Sequence, residues 1–395
     1  MVIAYLTLAD NLSGGNLRVL QIAKQLRNKN DVTFTIPADK LNKLRGEIEN
    51  NFPELLSVVE NFHPLPVNSY ALSGALDHYR FASKLVESAL QTLRPDMIYF
   101  AHENLFVMSA LRLGGAKWSA LFQLVPAVYN LVTDYRGPSS LRENYRLIMD
   151  ADLSAIGGWK IYAKVLLLRW ALGDKKVLSV SRSIAEDLRR LGVRADVRIP
   201  RPQNAAEDCR PGPARGRDID VLFSTRAVRE KGVFDFLEIA RLLKARAPWI
   251  RITISGATRP EERSIIYKLA TEAGVETRLD VPRDELMELR SKAKLILYPS
   301  RFDAFPLAVM EALKCGTPVL AYDIPAIKYN YPEEAVRTVP FRDVFSMADE
   351  ALRLLGSEDY LRRMGQTGLM YSEGFTWEAV ANAEYRELMR ILEDE

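Results

Sequence analysis

Along almost the whole chain, short runs rich in β-branched and aromatic residues alternate with longer stretches whose apolar positions recur every three or four residues. That alternation is the pattern of βαβ units and hence of parallel sheets. In the first half, Val2–Leu8 reads as a strand, and the helix after it keeps Val19, Ile22, Ala23 and Leu26 on one face. Val32–Ile36 is the next strand, with Met97–Ala101 and Val177–Val180 as further ones. Each is short and apolar, as expected of central parallel strands covered on both faces.

The pattern breaks at Ile199–Arg217, IPRPQNAAEDCRPGPARGR, where four prolines and several charges have the chemistry of a linker. It then restarts: strands at Asp220–Thr225, Ile250–Ser255, Leu295–Pro299 and Pro318–Tyr322 are separated by helical stretches at Val233–Ala245, Glu261–Ala273 and Phe305–Lys314. Helical periodicity closes the chain at Arg342–Leu355, Glu358–Tyr371 and Thr376–Leu392. At 395 residues the protein exceeds what one hydrophobic core usually serves. The expected α/β fold is therefore two doubly wound, Rossmann-like domains facing each other across a cleft. Residues 1–200 with a returning C-terminal segment 375–395 form the first, 201–218 a hinge-like linker, and 219–374 the second. Open sheets of this kind bind ligands at the carboxyl ends of their strands, which places the expected site in the cleft.

Composition adds limits. With 48% hydrophobic and 27% charged residues, the chain reads as a soluble globular protein with little room for disorder. The start, MVIAYLTLADNL, lacks the basic residues and cleavage site of a signal peptide, and no run reaches the roughly 20 apolar residues that span a bilayer. Of the two cysteines, Cys315 lies in an apolar run and reads as a small packed hydrophobe, so a reducing, cytoplasmic setting is expected. Net charge is only +3, yet residues 156–231 carry 17 Lys and Arg against 9 Asp and Glu. Such a stripe suits an anionic ligand, an anionic membrane face or nucleic acid, or is simply a solvated surface. Part of it, WKIYAKVLLLRWAL at Trp159–Leu172, sets Lys160 and Lys164 on one face and Arg169 opposite, which also fits a core helix with snorkelling cations.

Candidate chemistry concentrates in SRFDAFPLAVMEALKCGTPVLAYD, Ser300–Asp323. Asp303 and Glu311 are eight residues apart, within about 80° on one face of an ideal helix. Each carboxylate accepts two hydroxyl hydrogen bonds, which suits the vicinal hydroxyls of a ribose or hexose. Helix capping also accounts for Asp303, whereas Glu311, among Leu307, Ala308, Val309, Met310, Ala312 and Leu313, demands a polar partner. Arg226 and Lys231, in FSTRAVREKGVFDF, lie between a strand and a helix, where fixed cations reach a diphosphate and stabilise it as a leaving group without a metal.

Gly14 and Gly15 occupy a strand-to-helix turn where backbone can approach a phosphate or sugar, or which they merely shape. The dinucleotide pattern GxGxxG is not completed there, and no metal-ligand cluster, GxSxG or P-loop occurs, so dehydrogenase, hydrolase and ATPase readings lose support. His102, one of three histidines, ends a first-half strand in PDMIYFAHEN and is a candidate for catalysis as well as for a structural role.

These motifs together resemble the retaining glycosyltransferases of family 4, which have the GT-B fold. The resemblance runs through GGNLRVLQIAKQLRNKNDVTFTI, RPDMIYFAHEN, KKVLSVSRSIAEDLRRLGV, FSTRAVREKG and YPSRFDAFPLAVMEALKCGTPVLAYD to the final helix, FTWEAVANAEYRELMRIL. Asp303 and Glu311 stand for the two acids of the family motif, seven residues between them. The resemblance implies transfer of a sugar, with retention, from a nucleotide diphosphate sugar to a glycan or lipid-linked acceptor, with no metal or other cofactor and no nucleic acid. It implies that Glu311 holds the ribose and that Asp303, with the backbone of Phe305, Pro306 and Leu307, contacts donor sugar and phosphates. Arg226 and Lys231 would neutralise the leaving diphosphate. Gly14, Gly15 and Gly256 would line the donor, and Val281 would lie by its base. Three departures stand out: Asp303 is shorter than the family's glutamate, Ala304 and Pro306 replace glycines, and Phe122 and Gln123 occupy the segment where relatives carry a histidine. His102 is the substitute candidate. Independently of the resemblance, cysteine usage and the lack of a signal peptide point to a cytoplasmic setting, and the basic stripe to peripheral contact with an anionic membrane. A non-catalytic nucleotide-sugar binder and a nucleotide-sugar epimerase are the competing readings.

Overall fold

A computed structural model describes residues 1–10, 14–68, 74–125, 159–206, 209, 211–212 and 217–394. The chain divides into two units, Met1–Asn204 with Trp377–Glu395, and Ala205–Thr376.

The first unit is built on β1 (Ile3–Leu6), β2 (Val32–Pro37), β3 (His63–Leu65), β4 (Met97–Phe100), β5 (Trp118–Phe122), β6 (Lys176–Ser179) and β7 (Asp196–Arg198). They form one sheet in the order β3-β2-β1-β4-β5-β6-β7, and every pairing is parallel. Strands β1, β4 and β5 are buried at every position, which is why their sequences are unbroken apolar runs apart from Ser119. The strand order reverses between β1 and β4, so the loops leaving these two strands diverge and open a crevice at their carboxyl ends.

The C-terminal helix Trp377–Glu393 packs on this unit through a buried ion pair. Arg18 of the Gly14–Leu26 helix meets Glu384 with both side chains sealed from solvent, and Arg18 Nη2 also donates to the Gln203 carbonyl at 3.1 Å. The Tyr5 and Tyr99 hydroxyls, from β1 and β4, both donate to Glu384 Oε1, Tyr99 at 3.1 Å. Burial first, and the Glu384 charge second, push both phenols well above their usual range and keep them protonated as donors. An acid with this many partners is a specific anchor for the helix, because losing one partner would strand a buried charge.

The second unit repeats the design with β8 (Ile219–Ser224), β9 (Ile252–Gly256), β10 (Glu276–Leu279), β11 (Ala293–Tyr298), β12 (Val319–Tyr322) and β13 (Val336–Val339), in the parallel order β10-β9-β8-β11-β12-β13. Its order reverses between β8 and β11.

Two expectations are corrected here. Cys315 is not a free apolar side chain: it is buried and disulfide-bonded to Cys209, 106 residues away in sequence. A free-thiol argument for a reducing setting therefore falls away. The proline-rich stretch is also fastened rather than loose at its described points. Beyond that disulfide, Arg217 donates to the Ala293 carbonyl at 2.6 Å, to Thr317 Oγ1 at 2.8 Å and to the Gly316 carbonyl at 2.9 Å.

Candidate functional site

In the second unit the predicted residues gather at the reversal of strand order. Arg226 lies two residues beyond β8, and its exposed side chain has no ion-pair partner among the described residues. The chain then makes a single 3-10 turn, Arg229–Lys231, and Gly232 adopts φ +77° to start the Val233–Arg246 helix. A Cβ on Gly232 would lie 1.9 Å from the Pro299 carbonyl oxygen, so close packing against the end of β11 as well as backbone conformation demands glycine. Gly256 is similar, with φ +134° and a would-be Cβ 1.8 Å from the Thr225 carbonyl oxygen, so the turn after β8 packs directly on the end of β9.

That packing aims Lys231 at Asp303 from β11's exit loop, and the two form a mostly buried salt bridge. The Tyr298 hydroxyl, at the end of β11, donates to the same Asp303 oxygen, while Asp303 Oδ1 accepts from the Ala304 amide at 2.9 Å. Burial, then the Asp303 charge, push the Tyr298 phenol far up, so it remains a donor. The helix begins at Leu307 with Pro306 as its cap, so the capping explanation of Asp303 does not apply.

Asp303 and Glu311 do not share one face with one set of partners, as helical spacing suggested. Asp303 sits in the loop ahead of the helix, and Glu311 inside it bonds a separate pair of cations. Arg283 Nη2 donates to Glu311 Oε1 at 3.0 Å, and Arg290 Nη1 donates to Oε2. Arg290 is 2% exposed and is held in turn by the Ser224 carbonyl at 3.0 Å and Ser224 Oγ at 2.6 Å. Burial alone would raise the Glu311 carboxyl, but the Arg290 and Arg283 charges overcome it and hold the group below its ordinary range, ionised at neutral pH. These two arginines are the polar partner that the apolar context required, and they were not among the predicted residues. The only signal for them was a pair of arginines seven residues apart in an amphipathic stretch, Arg283–Lys292, with no cue that both point at Glu311.

Phe305 is buried against Tyr331 and Phe375, with ring centroids 5.6 and 6.3 Å away. The Pro306 carbonyl accepts from the Tyr331 hydroxyl at 2.8 Å and from the helical amides of Val309 and Met310. Leu307 and Ala308 are half-buried and begin the helix, so their amides have no intrahelical acceptor, the arrangement that favours an anion. Val281 is half-buried, two residues before Arg283.

In the first unit, Gly15, His102 and Gln123 come together beyond the carboxyl ends of β1, β4 and β5. Gly14 opens the helix and is exposed, whereas a Cβ on Gly15 would meet Gln123 Oε1 at 2.7 Å. Gln123 Nε2 lies 3.4 Å from His102 Nδ1 and donates to the Ala101 carbonyl at 3.3 Å; His102 Nε2 lies 3.2 Å from Thr7 Oγ1. Because an amide nitrogen only donates, Nδ1 accepts and Nε2 carries the proton toward Thr7. Burial and the nearby Arg18 charge depress His102 to about 4, leaving it neutral at pH 7. Its neighbour Glu103 was not predicted to matter. It is half-buried and accepts from the Gln123 amide at 3.0 Å, and burial pushes its carboxyl up to about 7. Residues 126–158 lie outside the described residues.

Comparison with known proteins adds identity to this geometry. Residues 206–369 match the family model for glycosyl transferases group 1. A D-inositol 3-phosphate glycosyltransferase of Nocardia farcinica is 33% identical over 128 residues, 31% of this chain and 28% of the relative. An MMP alpha-(1->4)-mannosyltransferase of Mycolicibacterium hassiacum is 29% identical over 175 residues, 43% of each chain. The chain thus matches 28% and 43% of the length of these two relatives. Among solved structures, sucrose-phosphate synthase of Thermosynechococcus elongatus superposes over the whole of both chains with a TM-score of 0.72 at 17% identity. Anabaena Alr3699/HepE in complex with UDP does so over 99% of this chain and all of its own, with a TM-score of 0.71 at 13% identity. The fold is that of the GT-B glycosyltransferases, two Rossmann-like parallel-sheet domains, and the stretch that matches the glycosyl transferases group 1 model lies in the second unit.

Proposed function

We propose that the protein transfers a glycosyl unit, with retention of anomeric configuration, from a nucleotide diphosphate sugar to an acceptor hydroxyl on a glycan or lipid-linked substrate. One observation carries this reading: Arg226, Lys231 and the open amides of Leu307 and Ala308 belong to the loops leaving β8 and β11, where the strand order reverses, within the family-matched segment. In transfer, the bond from the anomeric carbon to the diphosphate oxygen breaks and one to the acceptor oxygen forms, while the acceptor's proton leaves with the diphosphate. Charge grows on the departing diphosphate, and fixed cations and helix amides stabilise it most at that point. Arg226 is poised for this without competition. Lys231 reaches it while its partner Asp303 is held by Tyr298, which favours Asp303 as an ordering group for the cation as well as a contact for the donor sugar. Glu311 remains ionised and carries lone pairs for ribose hydroxyls. The local excess of positive charge in residues 156–231 supports peripheral contact with an anionic membrane on the cytoplasmic side.

UDP, the ligand of the HepE structure, is the first probe, with GDP and ADP beside it. Each is added in a thermal-shift screen, followed by product analysis with the matching sugar donors. Stabilisation by one nucleoside diphosphate, and donor turnover that Arg226→Ala and Lys231→Ala each cut about 10²-fold, is the expected outcome. No stabilisation by any of the three, or turnover within a few-fold of the parent in both variants, would sink the assignment. Release of epimerised donor without acceptor would instead identify an epimerase.

A further inference from the structure

Two loops of the second unit carry the cation and the acid that meet as Lys231 and Asp303, and one further residue is bonded on both sides of that meeting. Arg301 sits two residues before Asp303 in the exit loop of β11. Its amide donates at 3.1 Å to the carbonyl of Glu230, the residue before Lys231. Its guanidinium turns to Asp235, in the first turn of the Val233–Arg246 helix: Nη2 donates to Asp235 Oδ1, and Nε donates to Oδ2 at 3.4 Å. Asp235 Oδ2 also accepts from the Tyr322 hydroxyl, at the end of β12, at 3.2 Å. Burial, then the Asp235 charge, push this phenol far up, so it remains a donor. The Arg301 and Asp235 side chains are 6% and 11% exposed.

An acid in the first turn of a helix is favoured by the helix dipole, which by itself accounts for Asp235. The dipole does not call for a buried arginine opposite it. Arg301 Nη1 is buried with no acceptor among the described residues, and a buried ion pair adds little stability over well-packed apolar side chains of similar size. What such a pair fixes is geometry. Here it ties the chain on both sides of Lys231 to the loop that presents Asp303, and it cancels the Asp235 charge four residues from a cation that serves a diphosphate. Resting on the donor-site reading above, we propose that Arg301 is a positioning residue for glycosyl transfer: paired with Asp235, it holds the exit loops of β8 and β11 together so that Lys231 and Asp303 meet the donor as one unit. Tyr322 orients Asp235 for that pairing.

The test is steady-state release of nucleoside diphosphate from UDP-glucose, GDP-glucose or ADP-glucose, whichever the parent turns over. The variants are Arg301→Met, Arg301→Lys, Asp235→Asn/Arg301→Met and Arg301→Met/Lys231→Ala, with Lys231→Ala as reference. Misplacing a group that acts on the transition state by about 1 Å costs up to about 10²-fold. Arg301→Met should therefore lower kcat about tenfold or more while donor KM stays within about threefold, because the held cation acts most as charge builds on the leaving group. Arg301→Lys should recover part of that loss. Adding Asp235→Asn to Arg301→Met removes the stranded charge and leaves Tyr322 an acceptor, so the thermal midpoint should return toward the parent's while kcat stays low. In the Lys231→Ala background, Arg301→Met should cost less than about a further twofold, since the group it positions is gone. A kcat that recovers with the midpoint, an equal fold-loss with and without Lys231, or an Arg301→Met kcat within about twofold of the parent overturns the proposal and leaves the donor site standing. A parent that releases no nucleoside diphosphate from any of the three donors overturns the donor-site reading and this inference with it.

Discussion

Removing Glu311 should cost the second unit far more than removing its partner Arg290, and removing both should cost less than removing Glu311 alone. Arg290 is 2% exposed, and Glu311 is its only anionic partner among the described residues. In Glu311→Leu the guanidinium stays buried with neutral acceptors from Ser224 and the Met287 sulfur. Stranding one member of a buried pair typically costs about 3–5 kcal/mol. In Arg290→Met, by contrast, Glu311 keeps Arg283 at 3.0 Å and the main loss is the hydrogen bonds to Ser224, about 1–3 kcal/mol. The double variant has neither an orphaned guanidinium nor an apolar void of much size, so it should recover about 2 kcal/mol relative to Glu311→Leu. At roughly 2–4 °C per kcal/mol for a domain of this size, the Glu311→Leu unfolding midpoint should fall by about 6–20 °C, and the double variant's by several degrees less. Calorimetry on the nucleotide-free protein reads all four midpoints. If the double variant is as unstable as the sum of the singles, the pair is not coupled and the buried triad is refuted. The same experiment guards the functional test, because any loss of activity in a Glu311 variant must be read against its stability.

The first unit should show opposed pH responses from two adjacent residues. His102, depressed to about 4, contributes stability that is present above its ordinary 6.5 and lost as pH falls toward 4. Glu103, raised to about 7 from 4.5, contributes stability that is present below 4.5 and lost as pH rises through 7. Each effect is worth about 3 kcal/mol, so they largely cancel in the parent. Glu103→Gln should make stability rise from pH 4.5 to 7.5, and His102→Gln should make it fall; urea titrations at both pH values in which the two variants slope the same way would contradict these environments. The Cys209–Cys315 bond closes a long loop. Replacing both cysteines with serine should lower the second unit's stability by about 2–4 kcal/mol, and a thermal midpoint of the non-reduced parent that reducing agent does not move would show that no such bond forms.

Much of the architecture is legible in the sequence because central parallel strands must be apolar on both faces. Ile3–Leu6, Met97–Phe100, Ile219–Ser224 and Ala293–Tyr298, the strands that flank each reversal, are buried at all but one position apiece or throughout, and their composition announces it. The edge strands were not foreseen for the complementary reason. Glu276–Leu279 buries only Leu279, and Asp196–Arg198 buries no residue fully, so neither carries the pattern that identifies a strand. Strand Trp118–Phe122 is a different omission: it is buried throughout and central, yet it follows a turn too closely to be separated from it by pattern alone.

At the site, Arg226, Lys231, Asp303 and Glu311 stand out by residue type and by their place beside strand ends, which local sequence expresses directly. What each one touches depends on partners far away in the chain. The turn at Gly232 against Pro299 delivers Lys231 to Asp303 across 72 residues, and Arg290 reaches Glu311 across 21. Cys209 finds Cys315 across 106. Residue type and periodicity are written in local sequence because they answer to burial on the residue's own element. Pairing answers to which elements the fold lays side by side, and for these side chains only the tertiary structure decided that.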